Sequence, residues 1–175
     1  MSKITEKNQK QYDAGKIIFF IILSLFMVTG CSKLQWSDKA FSNFMSWEGA
    51  FLYCQHLKEG GHNDWRMPDI DELRTLIQNC PKTETGGECK VSKKNECLSA
   101  NCLFAEDNCS CRITEKNNGY YSKVGDSDFL WSYTIFPENL DYRFGISFRE
   151  GGIGIGRSGG DASVRCVRKK SLFEF

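Results

Sequence analysis

The sequence predicts an α+β domain that carries a cystine-rich insert. Three observations lead there. Apolar residues recur at helical spacing in two segments before residue 80. Beyond residue 112 the period shortens to two, along an aromatic-rich run of strands. Between these regions, from residue 80 to residue 111, lie six of the chain's nine cysteines. A chain of 175 residues fits one domain with an insert, and an apolar content of 41% is too high for a disordered chain. With 23 basic and 22 acidic side chains it lacks the basic excess of a nucleic-acid binder, so no nucleic-acid partner is expected.

The first predicted helix covers residues 46–58. Ser46 supplies the N-cap, and Trp47, Ala50, Phe51, Cys54 and Leu57 fall on one face. Gly60 and Gly61 are the expected left-handed stop. A short piece, Asp64-Trp65-Arg66-Met67, ends at Pro68. Asp69 then caps a second helix, with Glu72 as its capping-box partner and Ile70, Leu73, Leu76, Ile77 and Cys80 on the buried side. Residues 129–134 read as a strand. In the next, Tyr142, Phe144, Ile146 and Phe148 alternate with Arg143, Gly145 and Ser147. A turn at 150–152 leads to strand 153–157, and residues 163–168 form the last. The expected order is two helices, then an antiparallel meander. The boundaries are a lipidated tether and entry segment at 31–45, the domain at 46–168 with its insert at 80–127, and a tail at 169–175.

The N-terminus reads as an export signal. Lys3, Lys7, Lys10 and Lys16 outweigh Glu6 and Asp13, and the uncharged run 17–29 follows. As a helix this run would reach about 20 Å, short of a hydrocarbon core of about 30 Å, so it reads as a signal-peptide core and not a permanent span. It ends in Val28-Thr29-Gly30-Cys31, which resembles the bacterial lipobox. Small residues at 29 and 30 suit a tight protease cleft, and the Cys31 sulfur would take the diacylglycerol. The expectation is a lipoprotein that loses residues 1–30 and is held at the membrane by acyl chains on Cys31. Ser32 follows where an aspartate would favour the inner membrane, so the outer membrane is expected.

Apart from Cys31, eight cysteines remain: Cys54, Cys80, Cys89, Cys97, Cys102, Cys109, Cys111 and Cys166. An even number in an oxidising compartment implies four disulfides. No C-x-x-C occurs and the spacings match no common ligand pattern, so neither metal nor cofactor is expected. The insert has too few apolar residues to bury a core, and bridges would replace one by restricting the unfolded chain. Its six cysteines allow fifteen pairings, among which the sequence does not choose.

Leu34-Gln35-Trp36, Trp47-x-x-Ala50-x-x-Tyr53-Cys54-x-x-Leu57, Gly60-Gly61-His62-x-Asp64-Trp65-Arg66-Met67-Pro68, Asp71-Glu72-Leu73, Leu130-Trp131-Ser132-x-Thr134 and Val164-Arg165-Cys166-Val167-Arg168 occur in that order. Together they resemble the family of the C-terminal domain of the Legionella collagen-like adhesin, close to the Fibrobacter major paralogous domain. The resemblance runs from about residue 34 to residue 168 and is interrupted by the insert. It implies a C-type-lectin-like plan, in which Cys54 of the first helix pairs with Cys166 of the last strand. It also implies adhesion, with anionic glycans as one ligand class, which the near-neutral chain does not favour. Calcium-dependent lectins carry Glu-Pro-Asn or Gln-Pro-Asp before a Trp-Asn-Asp strand. Here the order is Pro137-Glu138-Asn139, and Ser132-Tyr133 follows Trp131, so calcium-dependent sugar binding is not supported. Glu138, Asn139 and Asp141 are the oxygen ligands that remain.

Other motifs have plain readings. Trp65 fits the core and Arg66 a structural ion pair. Gly152-x-Gly154-x-Gly156 lies between strands without a Lys-Ser/Thr, as a glycine-rich hairpin would. His56 and His62 have no nucleophile to activate, and no catalytic residue is assigned. The candidate ligand-binding residues are Trp131, Tyr133, Tyr142, Arg143 and Arg149, with Phe136 beside them. Aromatics stack on sugar or peptide, and arginines pair with sulfate or carboxylate. The functional expectation is a membrane-tethered, non-enzymatic adhesion module for a glycan or protein. The alternatives are an envelope assembly role that uses the insert as a protein contact, and an enzyme on the same scaffold.

Overall fold

A computed structural model describes residues 33–105, 109–112 and 119–171. The expected signal segment, Cys31 and tail residues 172–175 lie outside the described residues. Leu34–Lys169 form one compact unit. Of the flanking segments only Lys33, Lys170 and Ser171 are described, and the Lys170 amide donates to the Lys33 carbonyl at 2.8 Å.

Among the described residues the elements are β1 (Leu34–Trp36), β2 (Phe41–Met45), α1 (Trp47–His56), α2 (Ile70–Arg74), α3 (Ala100–Phe104), β3 (Phe129–Ile135), β4 (Tyr142–Ser147), β5 (Gly152–Arg157), β6 (Ala162–Val164) and β7 (Val167–Lys169). One sheet has the order β2-β6-β3-β4-β5, and β1 pairs with β7 in a second. The class is α+β. The meander β3-β4-β5 is antiparallel, as expected. However, the chain returns across the sheet to lay β6 between β2 and β3, parallel to β3. The sheet is therefore mixed. The expected last strand is two strands in different sheets, because the buried Arg165 and Cys166 leave the ladder for other partners. Residues 34–36 and 41–45, expected in a tether, are strands β1 and β2.

The Ser46 hydroxyl caps α1, accepting from the Gly49 amide at 3.3 Å. The helix ends at His56, where Leu57 turns extended, before the glycines. Gly60 and Gly61, at φ 61° and 79°, instead make the tight turn closed between Glu59 and His62. The capping box of α2 forms as expected. The α-helix proper lasts five residues, and the chain then continues through i→i+3 hydrogen bonds at Thr75, Leu76 and Ile77. Even so, Ile70, Leu73, Leu76, Ile77 and Cys80 are all buried.

Period-two alternation in β3 sends Leu130 and Trp131 to opposite faces. Leu130 joins Phe144, Ile146 and Phe148 under α2, where the insert contributes Cys80, Cys89, Val91, Leu103, Cys109 and Tyr121. Trp131 packs with Ala50, Cys54, Trp65, Val164 and Cys166 around α1. The glycine-rich hairpin has a steric cause. Register puts Gly145 and Gly156 on the Trp131 side. A Cβ on Gly145 would lie 2.4 Å from the Phe129 ring, and one on Gly156 would lie 2.7 Å from the Trp131 ring. These glycines form a bare floor for two aromatic rings.

Candidate functional site: an aromatic and arginine platform

Most of the arginines in the recognisable motifs hold the scaffold together. Arg168 donates from Nε to Asp64 at 2.7 Å and from Nη1 to Gln35 at 2.6 Å, which joins three motifs that are distant in sequence. That hydrogen bond holds the Asp64 carboxyl below the usual carboxylate range. Arg66 grips both oxygens of Glu72, at 2.7 and 2.5 Å. Burial pushes the Glu72 carboxyl up, but the Arg66 hydrogen bonds, the Asp69 amide and nearby positive charge outweigh it and leave the group lowered. Both carboxylates are therefore held as anions. Arg165 makes a buried two-point pair with Asp126, at 2.8 and 2.6 Å, and also donates to the Ser37 carbonyl.

Each of the eight cysteines is bonded. Cys54 joins Cys166, as the resemblance implies, with a Cα–Cα distance of 5.4 Å and a sequence separation of 112. The insert pairs as Cys80–Cys111, Cys89–Cys109 and Cys97–Cys102, each bridge inside the one before. Within this nest the Arg74 guanidinium donates to three carbonyls: Thr83 at 2.6 Å, Val91 at 3.0 Å and Cys89 at 3.0 Å. Burial lowers the Arg74 pKa. The insert also reaches the start of α2, where the Lys94 amide donates to Asp71 at 2.8 Å and Lys93 pairs with Asp69 at 3.6 Å. Arg74 carries no pattern in the sequence beyond its place on the second helix.

The five candidate binding residues separate. Trp131 is 2% exposed and its Nε1 donates to the Met45 carbonyl at 3.0 Å, so it belongs to the core and is withdrawn from the site. Phe136 is buried too. Tyr142 packs against the main core. Arg149 is exposed, but it follows the far end of β4, roughly 20 Å from Arg143 at 3.3 Å per residue. Tyr133 and Arg143 remain. The Tyr133 ring is 49% exposed, with Trp47 at 6.0 Å and Phe51 at 5.7 Å. Trp47 and Phe51 stack at 5.6 Å, and Trp47 is fixed by its Nε1 donating to the Ser132 carbonyl at 2.8 Å. The Arg143 guanidinium lies 4.5 Å from the centre of the Trp47 ring. Its Nη1 also donates to the Tyr142 carbonyl at 3.0 Å.

Trp47 and Phe51 enter this site from α1, where helical spacing marks them as core. A ring at the rim of a helix–sheet contact has one face in and one face out, which periodicity does not distinguish. Beside the platform is a pocket of about 510 Å³, lined by Asp141, Arg157, Ser158, Gly159 and Gly160. Ser158 connects the two features, since its carbonyl accepts from the Trp47 amide at 2.9 Å. Two of the three calcium candidates are engaged otherwise. Glu138 accepts from the Ala100 amide of α3 at 3.0 Å, and Asn139 from the Asp141 amide at 3.0 Å. Among the described residues no three His, Cys, Asp or Glu side chains gather as a metal site would require.

The family model described as the Lcl C-terminal domain matches residues 30–168, and the chain belongs to that family. It is an adhesin-related domain family, a class that works at the cell envelope or surface. No curated protein matches the chain.

Proposed function

We propose that this member of the Lcl C-terminal domain family is a non-enzymatic adhesion module of C-type-lectin-like plan. It is tethered to the outer membrane as a lipoprotein through Cys31. Its ligand, a glycan or a protein, meets the platform of Tyr133, Trp47, Phe51 and Arg143. The observation that carries this reading is the half-exposed Tyr133 ring, held in place by two further aromatics. A ring already fixed by its neighbours loses little freedom on binding, so its contact area goes largely to affinity. The lectin-like plan is supported by the long Cys54–Cys166 closure between the first helix and the end of the chain. The non-enzymatic reading is supported by the Asp64 and Glu72 carboxylates, whose shifts come with arginine partners and keep them charged.

The test is a glycan and matrix-protein array probed with the full chain as its host matures it, alongside Tyr133→Ala. Binding that Tyr133→Ala removes supports the platform, and binding that it leaves untouched contradicts it. The tether is tested by Cys31→Ser, which should abolish palmitate labelling and release the protein from membranes. A second reading, in which the insert is a protein contact, is favoured by Phe104. This residue is 67% exposed on α3, at a groove of about 520 Å³ formed with β5, where Phe129, Ile153 and Ile155 lie among Ser110, Ser147 and Glu150. If that reading holds, Phe104→Ser and not Tyr133→Ala removes capture of the partner.

A further inference from the structure

Resting on that reading of the platform, we infer that its ligand is an uncharged pyranose oligosaccharide, one residue stacked on Tyr133 and a neighbouring residue in the Asp141–Arg157 pocket. The pocket offers both signs of charge. Among the described residues, neither the Asp141 carboxylate nor the Arg157 guanidinium has a side-chain hydrogen bond or ion pair, although both border the same space. A sugar hydroxyl gives a proton to one hydrogen bond and accepts another, so it satisfies a carboxylate and a guanidinium together without carrying charge. A sulfated or carboxylated chain would pair with Arg157 but would press a like charge on Asp141.

Three further features fit the same ligand. The Arg143 guanidinium lies over the Trp47 ring and its Nη1 donates to the Leu140 and Tyr142 carbonyls, which directs much of its charge within the platform and leaves its buried Nε as a donor site the size of a neutral hydroxyl. The exposed Tyr133 face suits the apolar C–H face of a pyranose. Gly159 and Gly160 line the pocket with bare backbone, and a Cβ on Gly159 would meet nothing within 4 Å, so there is room for a ring. Tyr133 and the pocket are linked through Trp47, whose ring lies 6.0 Å from the Tyr133 ring and whose amide donates to the Ser158 carbonyl at 2.9 Å.

The experiment titrates the full chain with three kinds of probe. These are uncharged tetrasaccharides of gluco, galacto and manno configuration, a sulfated heparin tetrasaccharide, and a panel of collagen-type peptides. Each is measured at about 50 and about 500 mM salt. The expected result is binding of an uncharged tetrasaccharide that changes less than about twofold between the two salt conditions. Tyr133→Ala and Asp141→Asn should each weaken it about tenfold or more, while Tyr133→Phe, which keeps the ring, retains it. The intact Cys54–Cys166 bridge and an unchanged melting temperature show that the variants are folded. Binding confined to heparin, with a steep loss at high salt, overturns the ligand class and leaves the adhesion reading standing. So does binding confined to the peptides. Binding of none of the probes overturns both.

Discussion

The sheet-and-helix scaffold and the insert reach order by opposite routes. The scaffold buries aromatic and branched side chains on both faces of β3, and a single disulfide closes it. The insert has few such residues. Three nested bridges, one buried arginine and a borrowed edge of the main core do the same work. Apolar packing rewards many small contacts at once, so it tolerates the loss of any one. A covalent nest around one guanidinium concentrates its stability in a few atoms. The two regions should therefore fail differently.

The largest effect is expected at the scaffold closure. The chain-entropy model gives a 112-residue loop about 4–5 kcal/mol. The double substitution Cys54→Ser with Cys166→Ser should lower the urea unfolding free energy by about that much and leave the insert bridges intact. Next comes Arg74→Met. Three buried carbonyls would lose their donor, at about 1–3 kcal/mol for each unsatisfied group before relaxation. We expect a loss of about 3 kcal/mol, with faster amide exchange confined to residues 80–111. Arg74→Lys should not restore it, because an ammonium lacks the fixed fork that reaches three acceptors.

A smaller loss, about 1–3 kcal/mol, is expected for Gly156→Ala, whose new methyl would press on the Trp131 ring. Gly154→Ala, two residues away on the same strand, meets Phe129 only at 3.8 Å and should change stability by less than about 0.5 kcal/mol. Equal effects at both positions would undo the account of the glycine floor. The smallest effect is acid sensitivity. Glu72 and Asp64 have lowered carboxyl pKa values in the folded chain, so the folded state binds fewer protons there than the unfolded state does. Their contribution is complete above the unfolded values of about 4 and disappears as pH falls through the lowered folded values. Glu72→Gln should flatten the acid limb of a stability–pH curve by less than about 1 kcal/mol, since the pair is partly exposed.

The legible parts of the fold are those that local chemistry decides. Ser46 and Asp69 announce their helices, alternation announces β4, and an even cysteine count in a chain read as exported announces four bridges. The family resemblance adds the Cys54–Cys166 pair. The unread parts depend on non-local geometry. Parallel pairing of β6 with β3 rests on where a loop returns, and concentric bridging is one of fifteen equal possibilities before folding. Aromatic patterning placed Tyr133 and Arg143 in the site but also Trp131, because alternation does not say which face of a sheet a helix will cover. It overlooked Trp47 and Phe51 for the converse reason, and it overlooked Arg157 because a lone charged residue at a strand end has no pattern.

The scaffold is ordered by packing around one deep bridge, while the insert is ordered by its own nest. Amide exchange followed by mass spectrometry during stepwise reduction separates the two. Cys97 and Cys102 are half-buried, whereas Cys54 and Cys166 are fully buried. Mild reductant should open Cys97–Cys102 first, and residues 80–111 should then lose protection. The strands β3, β4 and β5 should keep theirs until Cys54–Cys166 is cut. Simultaneous loss of protection in both regions, or loss in the strands first, would contradict that division.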